Sequence, residues 1–403
     1  MSKKRIYLDY AATAPVDKKV FEAMRPYFSA KFGNPMSIHG FGQEAAEAVD
    51  KARQQVADFL NCYSSEIIFT SGATESNNLA IKGVLKSYYA TSRKKGAKPH
   101  IITSQFEHPC VLNACRTAEK ENLAEVTCLP VNKDGVIKTS DVEKAIKKNT
   151  LLISVMYVNN EIGTVQPIAE IGKLIKKINK AGDRKIIFHT DAAQAVNYFS
   201  CDVKKSNVDL LSLSGHKIYG PKGIGALYIK KNALIKNIQD GGGQEYGMRS
   251  GTHNVSGIVG LGETVSCIEY YVSSIKRIKK LRDYLIEKVL EEIQGAYLNG
   301  SAVKRSPNNA NFRFDGVEGE GLALALDLES IAVSTGSACS TGSLKPSQTL
   351  TALGLGPKQI YGSLRITLGK QTTKKELDYM IGKLKEAVKR LRRISGEVSD
   401  KFR

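Results

Sequence analysis

The sequence has few features of a secreted or membrane-bound protein. It begins MSKKRIYLDY, which carries basic residues but no apolar stretch of the kind that a secretory signal needs. The longest strongly apolar run, Leu151 to Val158, is far shorter than the roughly 20 residues that a membrane-spanning helix requires. The seven cysteines are an odd number and form no C-x-x-C pair, which argues against a disulfide framework and a zinc knuckle. We therefore expect a cytoplasmic protein with no membrane contact and no bound metal.

Acidic residues are outnumbered by basic ones. The chain has 59 Lys and Arg against 40 Asp and Glu, which gives a formal net charge of +19. The basic residues are spread along the chain, and no nucleic-acid motif or basic face with interleaved aromatics is present, so we expect no direct nucleic-acid binding. An acidic partner protein or a tRNA-modifying partner is compatible with this charge, but the simpler interpretation is that the charge only keeps the protein soluble. A length of 403 residues, 42% hydrophobic and 25% charged, is that of a globular protein of roughly two domains.

Short apolar runs alternate with helical patterns between residues 66 and 230. Continuous apolar strands separated by helices predict a mostly parallel sheet with helices on both faces, an α/β fold. After the glycine-rich segment 241–252 the pattern favours a smaller α+β domain. We place the large domain at residues 15–260 and the small one at 261–403 together with 1–14. The strand candidates are IIFT (67–70), HIITS (100–104), EVTCLPV (125–131), LLISVMY (151–157), KIIFHTD (185–191), LLSLS (210–214) and GALYIK (225–230).

Ligands of open α/β sheets bind at the carboxyl ends of strands, and two polar groups occur there. In FTSGATESNN (69–78) a strand meets a turn and a helix, where Ala73 and Thr74 could present N–H groups and a hydroxyl to a phosphate. The simpler interpretation of this segment is a capped helix start. Asp191 closes a buried strand, where a carboxylate can ligate a metal, orient a histidine or pair with a cationic nitrogen.

Lys217 follows the strand after Asp191, next to Ser214 and His216. Most lysines are solvated surface charges, but an amine desolvated in the same cleft as Asp191 can form a Schiff base with a carbonyl. A phosphate loop, a carboxylate and such a lysine together meet the needs of pyridoxal phosphate. His108, in FEHPC, could stack on its ring or could simply start a helix beside Pro109.

A further candidate is Cys339, in AVSTGSACSTGSL (332–344). Its small polar neighbours predict an exposed, flexible loop, with Gly336 and Gly342 as hinges. An accessible thiolate there would be a nucleophile, although a tolerated surface cysteine is the alternative.

These motifs resemble the pyridoxal-phosphate-dependent cysteine desulfurases of the NifS/IscS type, which are fold type I enzymes of the class V aminotransferase family. The resemblance extends over almost the whole chain in order. It is carried by YLDYAATAPVD (7–17), FGNPMSIHGFG (32–42), FTSGATESNNLAIKG (69–83), FEHPCVL (106–112), VNNEIGTVQPI (158–168), HTDAAQAV (189–196), SLSGHKIYGPKGIGALY (212–228), GGGQEYGMRSGT (241–252) and STGSACSTGSLKPS (334–347).

The resemblance implies a role for each matching position. Lys217 would hold the cofactor aldehyde, Asp191 would pair with the pyridine nitrogen, and His108 would stack on the ring and help to move protons. The cofactor phosphate would be bound by Ala73, Thr74, Ser214 and His216, and by Thr252 of the neighbouring subunit in a homodimer. Asn160 and Gln194 would contact the cofactor and the substrate, and Arg365 would bind the substrate carboxylate.

The resemblance also implies a reaction, in which L-cysteine gives L-alanine and a persulfide on Cys339. Lys217 would act as the base at the substrate Cα. An iron–sulfur scaffold, another acceptor protein or a tRNA-thiolation partner would then take the sulfur. The alternatives are a selenocysteine lyase, another class V aminotransferase-type enzyme, or a non-catalytic scaffold that has kept the fold.

Overall fold

The computed structural model describes residues 4–91, 98–182, 185–268, 272–335 and 346–396, without the side chains of residues 272 and 273. Cys339, Gly336 and Gly342 lie outside the described residues.

A seven-stranded sheet forms the centre of the large domain. Its strand order is β2–β8–β7–β6–β5–β3–β4; β8 runs antiparallel to β2 and β7, and the remaining neighbours are parallel. The predicted, mostly parallel sheet is therefore confirmed. Its strands are β2 (Ile67–Thr70), β3 (His100–Ser104), β4 (Glu125–Leu129), β5 (Thr150–Ser154), β6 (Ile187–Asp191), β7 (Leu210–Ser214) and β8 (Gly225–Ile229).

Helices cover both faces of this sheet. Adjacent residues of a strand point to opposite faces, so Ile68 packs with one layer of helices and its neighbours Ile67 and Phe69 with the other. Because both faces are covered, the strands other than the edge strand β4 are buried at almost every position. The helices up to residue 268 are α1 (Lys18–Met24), α2 (Gly40–Leu60), α3 (Ala73–Thr91), α4 (Pro109–Lys120), α5 (Thr139–Ala145), α6 (Ile168–Ala181), α7 (Val203–Ser206) and α8 (Val255–Ile268). None of the described helices is long and apolar enough to span a bilayer.

The smaller α+β unit has a separate core. Its antiparallel sheet has the order β12–β10–β9, and a two-residue parallel pair joins β1 to β11. Ile6 and Leu8 pack in this core, whereas Leu261 and Val265 pack against the large sheet. The division at residues 260 and 261 stays a prediction. The elements are β1 (Ile6–Tyr7), α9 (Val272–Glu292), β9 (Ala296–Leu298), β10 (Asn309–Phe314), α10 (Gly319–Asp327), β11 (Ile331–Ala332), α11 (Gln348–Ala352), α12 (Pro357–Tyr361), β12 (Ser363–Thr367) and α13 (Lys374–Ile394).

A buried ion pair fastens the glycine-rich segment 241–252 to the large domain. Both carboxylate oxygens of Glu245 accept hydrogen bonds from Arg53 on α2, at 2.7 Å each. The backbone N–H of Phe69 (2.7 Å) and His253 Nε2 (2.9 Å) contact the same carboxylate. Burial raises the pKa of Glu245, but these donors outweigh it and lower the pKa from 4.5 to about 2. The ionised carboxylate is thus the form that the fold stabilises.

We predict that Glu245→Gln lowers the free energy of unfolding by about 3 kcal/mol, because it leaves the Arg53 guanidinium buried without a counter-charge. A depressed carboxyl pKa stabilises the fold above about pH 4.5, and this contribution is lost as the pH falls toward 2. The variant should therefore lose less stability than the wild type over that range. Urea unfolding between pH 7 and pH 3 measures both effects, with Glu47→Gln, an exposed position on α2, as the control. Equal pH dependence in Glu245→Gln and the wild type would contradict the prediction.

Candidate active site

A cavity of about 620 Å³ opens at the carboxyl ends of β2, β6 and β7. Its lining includes Ala73, Thr74, His108, Asn160, Asp191, Gln194, Ser214, His216, Lys217 and Arg365. The structure therefore brings together the residues that the sequence singled out, with two exceptions. Thr252 is exposed and is not part of this lining, and Cys339 lies outside the described residues.

The start of α3 forms one end of the cavity. The first N–H groups of a helix have no acceptor within the helix and suit an anion. Glu75 fixes the turn before them: its carboxylate accepts from the N–H of Ser71 (2.7 Å) and from Arg249 Nε (2.8 Å). The turn also packs closely on β8, because a Cβ added to Gly225 would lie 2.5 Å from the Leu213 carbonyl oxygen and 2.7 Å from Gly72 Cα. The close approach of Gly72 to β8 therefore needs a glycine at 225.

A buried carboxylate forms the base of the cavity. Asp191, at the end of β6, is 6% exposed. Its Oδ2 accepts from Asn77 Nδ2 (2.7 Å) and its Oδ1 from the N–H of Ala193 (2.9 Å). A carboxylate can accept about four hydrogen bonds, so Asp191 retains capacity for a cationic N–H donor in the cavity. Asn77 could not be singled out from the sequence, because a polar residue one turn into a helix has no distinctive spacing.

Lys217 lies on the 3-10 turn Gly215–Lys217 that follows β7. Its Nζ donates to the carbonyl oxygens of Ala11 (2.8 Å) and Ala12 (2.6 Å). Gln194 Nε2 also donates to the Ala11 carbonyl, at 2.9 Å. The N-terminal segment therefore positions the amine through backbone oxygens, which no side-chain motif could have predicted.

The two histidines of the cavity are held neutral. His216 Nδ1 contacts Thr13 Oγ1 at 3.2 Å, and burial together with the Lys217 and Lys222 charges lowers the pKa of His216 to about 4. His108 caps α4. Burial and the Lys217 charge both lower the pKa of His108, burial being the larger effect. The Asp191 carboxylate acts in the opposite direction and raises this pKa.

Arg365, on β12 of the smaller unit, reaches the same cavity. It is buried, and its Nη2 pairs with Asp9 (2.7 Å) while its Nη1 donates to the Asn160 carbonyl oxygen (2.9 Å). Its Nε is buried without a hydrogen-bond partner. A fixed guanidinium of this kind is suited to a carboxylate ligand.

The geometry fits a cofactor with an aldehyde, a protonated ring nitrogen and a phosphate. The amine of Lys217, the carboxylate of Asp191 and the α3 N-terminus all border one cavity, and each offers the chemistry that one of these groups needs.

Comparison with known proteins agrees with this geometry. Residues 6–380 match the model of the family described as aminotransferase class-V. The chain belongs to this family, among its cysteine desulfurases. It is 48% identical over 394 residues to cysteine desulfurase IscS of Dictyoglomus turgidum, covering 98% of this chain and 97% of that protein. It is also 46% identical to the human protein named cysteine desulfurase, covering 97% of this chain and 83% of that one.

Solved structures of similar proteins show the same fold. A NifS-like protein superposes with a TM-score of 0.87 at 35% identity, covering 96% of this chain and 100% of that one. SspA in complex with cysteine superposes with a TM-score of 0.78 at 39% identity, covering 92% and 100%. The fold is therefore that of the fold type I enzymes, and the family depends on pyridoxal phosphate.

We predict that Gly225→Ala weakens the binding of pyridoxal phosphate at least about tenfold, or 1.4 kcal/mol, because the added methyl group displaces the turn before α3. Titration of the cofactor-free protein, followed by absorbance, measures the affinity. The control is Gly382→Ala on α13, where an added Cβ meets nothing within 4 Å. Unchanged affinity in Gly225→Ala would show that the turn does not hold the phosphate.

Proposed function

We propose that this chain is a cysteine desulfurase that converts L-cysteine to L-alanine and retains the sulfur as a persulfide on Cys339. The observation that carries the proposal is the convergence of Lys217, Asp191 and the α3 N-terminus on one cavity that Arg365 also lines. Together with the family membership, this favours pyridoxal phosphate as cofactor and an amino acid as substrate.

Each end of the cofactor has a counterpart in the cavity. Ala73, Thr74, Ser214 and His216 would hold the phosphate, Asp191 would face the ring nitrogen, and His108 would cover the ring. When bound, the cofactor supplies an aldehyde for an amine and a ring that delocalises negative charge from the substrate Cα.

The protein's own groups then handle the protons. The Lys217 amine, positioned by the Ala11 and Ala12 carbonyl oxygens, removes the proton from the substrate Cα. His108 is neutral, so it can accept a proton in the cavity. Asp191 already accepts two N–H donors and has acceptor capacity left, so it would accept a hydrogen bond from the ring nitrogen of the bound cofactor.

The substrate carboxylate binds Arg365, with Asn160 beside it. The Asp9 and Asn160 contacts lock the guanidinium in place before the substrate arrives, so little side-chain entropy is lost on binding.

The residues that flank Cys339 support its role. Ser334 exchanges backbone hydrogen bonds with Arg365 (3.1 and 2.6 Å), and Ser347 Oγ donates to Glu161, the residue after Asn160, at 2.5 Å. Chain segments on both sides of Cys339 therefore lie beside the cavity lining. In the transfer, the Cys339 thiolate forms a bond to the substrate sulfur as the Cβ–S bond breaks. The electron pair of that bond stays on the carbon skeleton, which takes up one proton at Cβ, regains the proton removed from Cα and leaves as alanine.

A second copy of the chain completes the proposed enzyme. Phe28, Phe32, Ile38 and Phe41 are each more than half exposed, and the rings of Phe32 and Phe41 are in contact. Exposed apolar groups of this kind favour a protein interface. Thr252 is exposed away from its own cavity, so a phosphate contact from Thr252 requires the partner subunit.

The sulfur passes to an acceptor protein, either an iron–sulfur scaffold or a tRNA-modifying enzyme. The net charge of +19 favours an acidic acceptor surface. A cytoplasmic location stays a prediction.

We predict that Cys339→Ala binds pyridoxal phosphate with the wild-type absorption band, which borohydride bleaches, but forms alanine from cysteine at least about 100-fold more slowly, since the sulfur acceptor is missing. Single-turnover alanine assays measure the loss. Cys128→Ala, which removes an exposed cysteine on β4, should retain full activity. Normal turnover by Cys339→Ala would exclude the role of this thiol.

We predict that subunits carrying Lys217→Ala and Thr252→Ala complement each other when mixed. In the mixed dimer, the site with an intact Lys217 receives an intact Thr252 from its partner, so that site should bind the cofactor with wild-type affinity. The affinity of the mixed dimer, isolated with two different tags, tests this. A monomeric protein in light scattering, or mixed dimers no better than Thr252→Ala alone, would contradict it.

A further inference from the structure

The Cys110 thiol lines the cavity and has no part in the reaction proposed above. Cys110, in the first turn of α4, is half-buried, and its Sγ lies 2.9 Å from His108 Nδ1 and 3.1 Å from Asn77 Nδ2. One sulfur atom therefore contacts both the histidine of the ring site and the amide that holds Asp191.

The directions of these hydrogen bonds follow from the carboxylate. Asp191 needs donors, so the Asn77 side chain must turn its NH₂ group toward it, and the second hydrogen of that group then points at Cys110 Sγ. The Cys110 sulfur accepts a hydrogen bond from Asn77. The S–H group of Cys110 is therefore available to donate a hydrogen bond to another acceptor. The nearest acceptor is His108 Nδ1, which also accepts the backbone N–H of Cys110 at 3.2 Å.

The surroundings keep this arrangement in one protonation state. Burial and the Asp191 charge raise the pKa of Cys110 to about 12, against the opposing effect of the Asn77 hydrogen bond, so the thiol keeps its proton at neutral pH. The groups facing His108 and Cys110 are Asp191 on β6, Lys217 after β7, and Glu107, whose pKa burial raises to about 8. With two donors on Nδ1, the neutral His108 ring carries its proton on Nε2.

We propose that Cys110 is a positioning residue: its S–H fixes the Nε2-protonated tautomer and the ring orientation of His108, while its sulfur secures the Asn77 amide that holds Asp191. The catalytic part of this inference rests on the proposed function, whereas the tautomer is a property of the protein alone. Cys110 accordingly takes no sulfur during turnover. A protonated thiol with two hydrogen-bond partners is a poor nucleophile, in contrast to the role assigned to Cys339.

The test compares Cys110→Ser, which keeps an O–H donor, with Cys110→Ala, which removes it. Nitrogen NMR of ¹⁵N-histidine-labelled, cofactor-free protein reports the tautomer, and the His108 signals are assigned by their loss in His108→Asn. We expect one Nε2-protonated form in the wild type and Cys110→Ser. In Cys110→Ala only the backbone N–H of residue 110 still donates to Nδ1, so we expect an additional Nδ1-protonated form. We also expect a raised pKa of His108, because the lost S–H bond favours only the unprotonated Nδ1.

In the cofactor-loaded enzyme, Cys110→Ala should lower kcat about fivefold, the effect of one hydrogen bond, with Cys110→Ser restoring most of it. The acid limb of the pH dependence of kcat should shift to higher pH by about half a unit in Cys110→Ala, and should not shift in Cys110→Ser. Identical NMR spectra of the wild type and Cys110→Ala, or a persulfide on Cys110 after turnover, would overturn the inference. If the wild type formed no alanine from cysteine, the proposed function would be wrong. The NMR experiment would still test the tautomer of His108, because it uses cofactor-free protein.

Discussion

The buried carboxylate of Asp191 is the interaction on which the cleft depends. An ionised group so little exposed to water is costly unless donors surround it, and Asn77 and the Ala193 N–H each supply one. Asn77 in turn contacts Cys110, and Cys110 contacts His108. The Asp191 carboxylate, because it needs hydrogen-bond donors, therefore orients side chains on α3 and α4 as well as on β6. The remaining acceptor capacity of the carboxylate faces a cavity whose opposite wall carries the Lys217 amine.

The central sheet could be predicted from the sequence because of how it is buried. Strands covered on both faces are uninterrupted apolar runs, and β3 and β7 begin and end at the residues that the runs HIITS and LLSLS indicated. Asp191 and Lys217 could be predicted for the same reason, since a polar residue at the end of such a run lies at the carboxyl edge where ligands bind. The short strands β1, β9 and β11 escaped prediction, because two or three residues carry no detectable alternation.

The supporting contacts of the site were beyond sequence reasoning. Asn77 and Cys110 lie in helices, where each resembles an ordinary helix residue until its partner on another element is known. The carbonyl oxygens of Ala11 and Ala12 belong to the backbone, which gives no compositional signal. Thr252 and Cys339 are different: their assignment comes from motif resemblance, and their roles stay predictions.

The N-terminal segment links the two ends of the cleft. Within a few residues it pairs with β11 in the smaller unit, supplies Asp9 to Arg365, and offers the Ala11 and Ala12 oxygens to Lys217. Arg365 and Lys217 are therefore both held by residues 9 to 12, so any shift of this short stretch of backbone displaces the partners of both cations together.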